Sequence, residues 1–251
     1  MITVVIASRL REDRLGYLTA MRASLTRQFV PWEAVIALDG VSPDRLPAPL
    51  AADPRVRTLA LPRPVGAACA RNLALTQVRT PYMNWADDDD EFTDDAMSVR
   101  LNALESAGVG WCAGWSEDQH PDGSTTLWRC PTPPGRQEAG DVWTYWKSPA
   151  DTIPIGPTTI LARTDLVRAA PMGGLVQGED YMAAVGVTNL APGILLPVPV
   201  YRYRKHAGQM TAQAGYEHLE AAAREHAWQY GRSLRSVLHN PRARAGDSSA
   251  M

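Results

Sequence analysis

Apolar and polar positions alternate between two periods along the first hundred residues. Ile2-Thr3-Val4-Val5-Ile6-Ala7 is a continuous β-branched run, the signature of a strand covered on both faces in a parallel sheet. Ser8-Arg9-Leu10-Arg11-Glu12-Asp13 then turns the chain. From about Asp13 to Gln28, Leu15, Leu18, Met21 and Leu25 recur at helical spacing and predict an amphipathic helix, which Pro31 ends. Glu33-Ala34-Val35-Ile36-Ala37-Leu38 is a second buried strand with Asp39-Gly40 as a turn at its carboxyl end, which completes a βαβ unit. After a Pro-rich connection from Ser42 to Pro54, Val56 to Leu61 reads as a third strand. Gly66 to Leu75 reads as a small-residue helix able to lie close against a sheet. Pro81-Tyr82-Met83-Asn84-Trp85-Ala86 is a fourth strand, and it stops at Asp87-Asp88-Asp89-Asp90-Glu91. The alternation predicts Asp39, Arg71 and this acidic cluster along one rim of one sheet.

The pattern changes in the second half. After a helix over roughly Asp94 to Ser106, Val109 to Trp115 and Ser124 to Trp128 flank Pro121-Asp122-Gly123, which predicts a hairpin and a switch to mixed or antiparallel pairing. The stretch from Pro131 to Pro157 has no clear period. Its Trp143, Tyr145 and Trp146 either form the core of a short helix or line a binding cleft. Thr158 to Ala162 is a predicted strand with a helix start at Thr164-Asp165. A Gly-rich loop from Gly173 runs into a helix headed by Glu179 and Asp180. Pro197 to His206 reads as an edge strand, because its prolines argue against a central one. Tyr216, Leu219, Ala223, Ala227, Tyr230, Leu234 and Val237 mark a long amphipathic helix, its stripe packing on the domain or on a second copy of the chain as a homodimer. The polar tail from Asn240 is predicted to be disordered. The fold class is thus α/β: a mostly parallel sheet flanked by helices, a mixed or antiparallel second half, and a long C-terminal helix.

Composition narrows the function without naming it. At 251 residues, 45% hydrophobic and 21% charged, the chain is ordinary globular material. A formal net charge of -2 gives no electrostatic case for nucleic acid or an acidic membrane, so an anionic partner requires a local site. Cys69, Cys112 and Cys130 cannot all pair and show no CxxC spacing, which fits a reduced, cytoplasmic setting. No signal peptide and no run of about 18 apolar residues is visible, so a soluble protein is expected.

Adjacent carboxylates repel one another and hard oxygen ligands suit Mg²⁺, Mn²⁺ or Ca²⁺, so the Asp87 to Asp90 cluster at a strand end calls for a cation. A solvated acidic turn, or a helix start at Asp94-Asp95, is the alternative. Crevices at the carboxyl ends of such strands are where α/β sheets bind ligands.

The ordered set Val4-Val5-Ile6-Ala7-Ser8, Ala37-Leu38-Asp39-Gly40, Gly66 to Asn72 with its Ala-Arg-Asn, Trp85 to Asp90, Gly178-Glu179-Asp180 and Tyr203-Arg204-Lys205-His206 resembles the family 2 inverting glycosyltransferases of the GT-A fold. The resemblance covers about the first 210 residues. It implies a nucleotide-binding βαβ half over 1–110 and an acceptor-binding and catalytic half over 111–210, and the apolar stripe and polar composition beyond them give the C-terminal helix over 211–240 and the disordered tail over 241–251. It also implies a nucleotide-sugar donor, UDP-linked in the first instance. Asp39 would touch the base, with Ala7 and Arg9 beside it. Arg71 would help hold the nucleotide, and Asp87 and Asp88 would contact the donor, Asp87 at the ribose. Asp89, in the place of the family's DXD motif, and His206 would hold Mn²⁺ or Mg²⁺. Asp180 would be the general base, with Glu179 as the alternative. The turn Ala7-Ser8-Arg9 departs from the usual Pro-Thr-Tyr, and Leu38-Asp39 stands where two aspartates are common. The Gln-x-x-Arg-Trp motif of processive synthases is absent, which points to transfer of a single sugar. The tryptophans of the second half, Trp115, Trp143 and Trp146 among them, favour a planar or hydrophobic acceptor, a natural-product aglycone or a carrier-bound group. Two other readings stand beside this one. A sugar-phosphate nucleotidyltransferase would need a Gly-rich basic loop after the first strand, and Ser8 to Asp13 has no glycine. A non-catalytic binding module would use Asp87 to Asp90 for structural Ca²⁺.

Overall fold

The computed structural model describes residues 1–175, 177–209 and 215–238. The predicted tail from Asn240 and His239 lie outside them. Ten strands form one sheet with the order β3-β2-β1-β4-β9-β6-β10-β5, with β7 on β6 and β8 on β10. The first half of the chain supplies β1 (Ile2–Ser8), β2 (Trp32–Asp39), β3 (Val56–Leu61) and β4 (Tyr82–Ala86), all parallel. The apolar runs of β1 and β2 are buried on both faces, whereas the edge strand β3 is half-buried to exposed; the side-chain period of two divides the buried runs. Val4, Ile6 and Ile36 meet Leu18, Met21 and Leu25 of α1 (Leu15–Thr26) on one face. Val5, Val35 and Ala37 meet Ala70 and Ala74 of α3 (Ala67–Leu75) on the other. The small residues of α3 let it sit close to β1 and β2, as its composition predicts.

A short helix α2 (Ala48–Ala51) lies in the Pro-rich connection, and β5 (Glu91–Phe92) follows the acidic turn. The helix α4 (Ala96–Ala107) begins after Asp95, which has φ 61 and whose side chain makes no capping hydrogen bond. The hairpin of β6 (Trp111–Gln119) and β7 (Thr125–Trp128) is antiparallel as expected, with β6 running on to Gln119, past the end of its apolar run at Trp115. The segment predicted as a strand from Thr158 is instead a 3-10 turn, Pro157–Thr159, followed by β9 (Leu161–Arg163). There Thr158 and Thr159 give their carbonyls to Asn84 and Arg100 rather than to a ladder. Next come α5 (Thr164–Ala169), α6 (Glu179–Leu190), β10 (Gly193–Arg204) and α7 (Tyr216–Leu238), with β8 (Gly135–Gln137) before the Trp143 turn.

The expectation of an edge strand at Pro197 to His206 is corrected. β10 is internal, parallel to β6 on one side and antiparallel to β8 and β5 on the other. Its prolines are tolerated because β8 takes only Gly193 to Leu195 and β5 only Tyr201 and Arg202. Pro197 falls in the gap, and the β6 register breaks on either side of Pro199. A missing N–H therefore costs no regular ladder bond. Among the described residues no helix is long and apolar enough to cross a membrane.

Candidate active site

The carboxyl ends of β1, β2 and β4 converge as their alternation predicts. Asp39, at the end of β2, is 3% exposed and is already engaged: its carboxylate accepts the Val65 and Gly66 backbone N–H groups at 2.6 and 3.2 Å and the Arg9 Nε at 3.1 Å. It therefore fixes the loop entering α3 and holds Arg9, whose guanidinium is largely exposed, over the same crevice. Ala7 is half-buried beneath them. Ser8 turns its hydroxyl toward Asp88, donating at 2.5 Å while accepting the Leu10 N–H at 3.1 Å.

The four aspartates after β4 have four different environments. Asp87 receives the Arg71 guanidinium, and its backbone N–H donates to the Tyr201 hydroxyl at 3.0 Å. Burial pushes Asp88 up to about 6, against the lowering effect of the Ser8 hydroxyl. Asp89 Oδ2 lies 3.1 Å from His206 Nε2 and 2.9 Å from Arg14 Nη1. Asp90 is 3% exposed and accepts the Arg204 backbone N–H at 2.9 Å. Burial, with Asp87 and Asp89 nearby, raises it well above the usual carboxylate range. The pairing of β5 with β10 brings Arg204 and His206 here: Arg204 donates to the Asp89 carbonyl at 2.8 Å and to Glu91. Tyr17 of α1 stacks against both, 4.7 Å from the Arg204 guanidinium and 4.8 Å from the His206 ring. A cavity of about 510 Å³ opens beside them, lined by Tyr17, Gln119, His120, Lys205 and His206 among others. Among the described residues no group of three or more His, Cys, Asp or Glu is arranged to hold a metal ion.

Arg71 joins the two halves of the chain. From α3 it reaches Asp87 with one terminal nitrogen and Glu179 Oε1, at 3.2 Å, with the other. Asn72 beside it donates to the Met172 carbonyl and accepts the Met172 N–H, both at 3.0 Å, pinning the loop that leads to α6. Glu179 and Asp180 thus differ. Glu179 is buried and ion-paired. Asp180 accepts only the Tyr181 N–H, at 3.0 Å, and has no ion-pair partner among the described residues. Burial first, then the neighbouring Glu179 and Asp87 charges, push the Asp180 carboxyl up to about 7.

The tryptophans sit further along the second half. Trp146 is 3% exposed and packs with Val185 of α6 and Ala227 of α7; its indole N–H donates to the Asp151 carbonyl at 3.2 Å. Trp143, in a 3-10 turn, donates to Thr188 Oγ1 at 2.6 Å, and its ring centroid is 5.6 Å from that of Trp146. Trp115 is half-buried against the main core, with Arg129 5.1 Å over its ring. Sequence reasoning did not single out Ser8, Arg14 or Tyr17. All three lie in or near the turn after β1, where a run of arginines and hydroxyls offers no period and no motif by which to choose among them.

The family model described as "Glycosyl transferase family 2" matches residues 3–153. β-1,4 N-acetylgalactosaminyltransferase 1 of Rattus norvegicus is 39% identical over 93 residues, 37% of this chain and 16% of that protein. Its Homo sapiens counterpart is 36% identical over 101 residues, 40% of this chain and 17% of that one. The chain thus matches about a sixth of the length of these relatives. S. aureus TarS 1-349 in complex with UDP-GlcNAc superposes with a TM-score of 0.63 at 14% identity, covering 94% of this chain and 72% of TarS 1-349. Its complex with UDP gives the same TM-score over 100% and 75%. At that identity the likeness shows the GT-A fold.

Proposed function

Since the chain belongs to glycosyl transferase family 2 and is a glycosyltransferase, we propose that it moves one N-acetylhexosamine from a UDP-linked donor to a hydroxyl of a small-molecule or carrier-bound acceptor, inverting the anomeric carbon. The observation that carries this reading is the Arg71 clasp, which ties the acidic end of β4 to the Glu179-Asp180 end of α6. A donor site and a proton acceptor from opposite halves of the chain then face one crevice. The sugar is read from the N-acetylgalactosaminyltransferase name of the sequence relatives and the UDP-GlcNAc complex of the structural one.

Asp39, with Arg9 and Ala7, would border the base. Asp87, with Asp88, would take the ribose side, and Arg71 would hold the pair in place. Asp89 and His206 suit a divalent cation, Mn²⁺ or Mg²⁺: a carboxylate oxygen and an imidazole nitrogen converge at 3.1 Å, and the remaining positions are left to diphosphate oxygens and water. When bound, such an ion neutralises the charge that collects on the departing diphosphate. The acceptor oxygen attacks C1 as the C1–O bond to the diphosphate breaks, and Asp180 takes the hydroxyl proton. Asp180 is preferred to Glu179 because Arg71 already claims Glu179, whereas an unpaired carboxylate titrating near neutrality is matched to proton abstraction. Of the tryptophans, Trp115 and Trp143 are half-buried and are the ones offered to an acceptor.

The test is turnover of a donor panel in Mn²⁺ against mixed hydroxyl acceptors. Release of UDP should be greatest from UDP-GlcNAc or UDP-GalNAc, and the anomeric coupling in the product should be opposite to the donor's. A preference for GDP- or dTDP-linked sugars would overturn the nucleotide, and a product with the donor's anomeric configuration would overturn the single displacement.

A further inference from the structure

Arg14 occupies an unusual position for a surface-turn arginine. It closes the 3-10 turn Glu12–Arg14 before α1, and only 15% of its side chain is exposed. Its Nη1 lies 2.9 Å from Asp89 Oδ2 and 3.6 Å from Asp88 Oδ1. The Asp89 oxygen it contacts is the same one that faces His206 Nε2. Its Nη2 donates to the Gly208 carbonyl. Its Nε is buried and, among the described residues, has no hydrogen-bond partner. A guanidinium that leaves one N–H unsatisfied in order to reach two carboxylates is held there chiefly by their charge.

We infer that Arg14 is a built-in counter-ion that occupies the cation position of Asp88 and Asp89 and must withdraw for a divalent ion to bind, so that ion entry and release of the Gly208 turn are one event. The inference rests on the reading that Asp89 and His206 hold the ion. Its physical basis is mutual exclusion: one oxygen cannot serve a guanidinium at hydrogen-bond distance and a divalent ion on the His206 side without bringing two cations together in a poorly solvated crevice. The coupling follows from the second hand of the guanidinium. The Gly208 turn is stitched by the Gln209 N–H to the His206 carbonyl at 3.2 Å and by the His206 N–H to Gln209 Oε1 at 3.3 Å. It sits so near Asp13 that a Cβ at Gly208 would stand 3.0 Å from Asp13 Oδ2. Arg14 is its charged link to the floor of the site. The arrangement offsets the charge of Asp88 and Asp89 while the site is idle, and it lowers ion affinity until a diphosphate adds its own oxygens.

Mn²⁺ titration by calorimetry without nucleotide, on the wild type, Arg14→Gln, Arg14→Lys and Asp89→Ala, tests this. Arg14→Gln should bind Mn²⁺ roughly ten-fold or more tighter, the equivalent of one charged hydrogen bond no longer broken. Arg14→Lys keeps the charge and should stay nearer the wild type. Asp89→Ala should bind weakest. In the wild type alone, Mn²⁺ should speed hydrogen exchange of the backbone amides at 206–209; in Arg14→Gln that exchange should already be fast and unresponsive. If the wild type binds Mn²⁺ through Asp89 and Arg14→Gln binds no tighter, or if exchange at 206–209 ignores the ion in the wild type, the counter-ion role is wrong and the ion site stands. If neither protein binds Mn²⁺, the ion site itself falls, and the counter-ion role with it.

Discussion

Asp180 and Glu179 are neighbours in sequence and opposites in circumstance, and the difference lies in one arginine. Arg71 takes Glu179 and leaves Asp180 with a single backbone donor, which is why Asp180 is the proposed base of the pair. Asp180→Asn keeps the shape and cannot take a proton. It should retain UDP-sugar affinity and lose about 10²–10⁴ in turnover with a hydroxyl acceptor. The pH dependence has a definite sign. With its carboxyl raised to about 7, Asp180 is protonated and idle below that value, so kcat/KM should climb through pH 7 and level above it. The same shift bears on stability. The folded protein keeps a proton that the unfolded chain releases near 3.8, so Asp180 subtracts stability as pH rises from about 3.8 to about 7. Asp180→Asn should therefore gain on the wild type in thermal melts at pH 8 and not at pH 3. A flat pH–rate profile together with near-normal Asp180→Asn turnover would return the base role to Glu179.

At the scale of elements, α7 holds the end of α6 that carries Asp180, while the Trp143 turn ties down the other end through Thr188. Gly178, with φ 67, lies so close to α7 that a Cβ there would be 2.7 Å from Ala223, and the Tyr181 hydroxyl donates to Glu220 at 3.2 Å. Gly178→Ala is strained in backbone and in space. It should cost about 1–2 kcal/mol for the left-handed conformation and depress turnover while UDP affinity stays within two-fold. Full turnover at an unchanged melting temperature would show that α7 does not brace the loop. Trp146, wedged between α6 and α7, belongs to the same brace, and Trp146→Ala should lower stability by about 3–5 kcal/mol. A variant that melts normally and changes only acceptor use would place that ring in the acceptor cleft instead. These contacts explain what could be read in the chain at this scale. The parallel strands and α1, α3 and α7 were legible because burial imposes a period on them. The internal position of β10 was not, because proline marks only where one N–H is missing; which neighbour strand stops short beside it is a property of β8 and β5. The Trp143 segment has no period at all, since it is held by side-chain contacts to α6 and α7 that are remote in sequence.

Over the whole molecule, the site was legible as an ordered series of short polar motifs at strand ends, and the fold assembles most of them: Asp39, Arg71, the acidic turn, Glu179-Asp180 and His206 all reach one rim. What the series could not convey was occupancy. Asp39 is spent on the α3 loop and Arg9, Arg71 on two carboxylates, and Asp89 on Arg14, because a motif shows which groups arrive and not how they neutralise one another on arrival. Asp89 and His206 lie 117 residues apart and meet only because β5, two residues long, pairs with the end of β10. The proposed cation position is therefore a property of the assembled sheet rather than of either segment, and donor binding should register the loss of either partner. Asp89→Ala should remove the Mn²⁺ dependence of UDP binding and weaken UDP together with the ion, since the ion and the diphosphate would share this ligand's site. His206→Ala, which takes away a neutral donor and leaves the carboxylate, should show a smaller loss of the same kind. Calorimetric titration with UDP, with and without Mn²⁺, separates the outcomes: if Asp89→Ala binds UDP in Mn²⁺ as tightly as the wild type does, the ion is not held at the end of β4, and the positive charge that meets the diphosphate comes from the protein's own arginines.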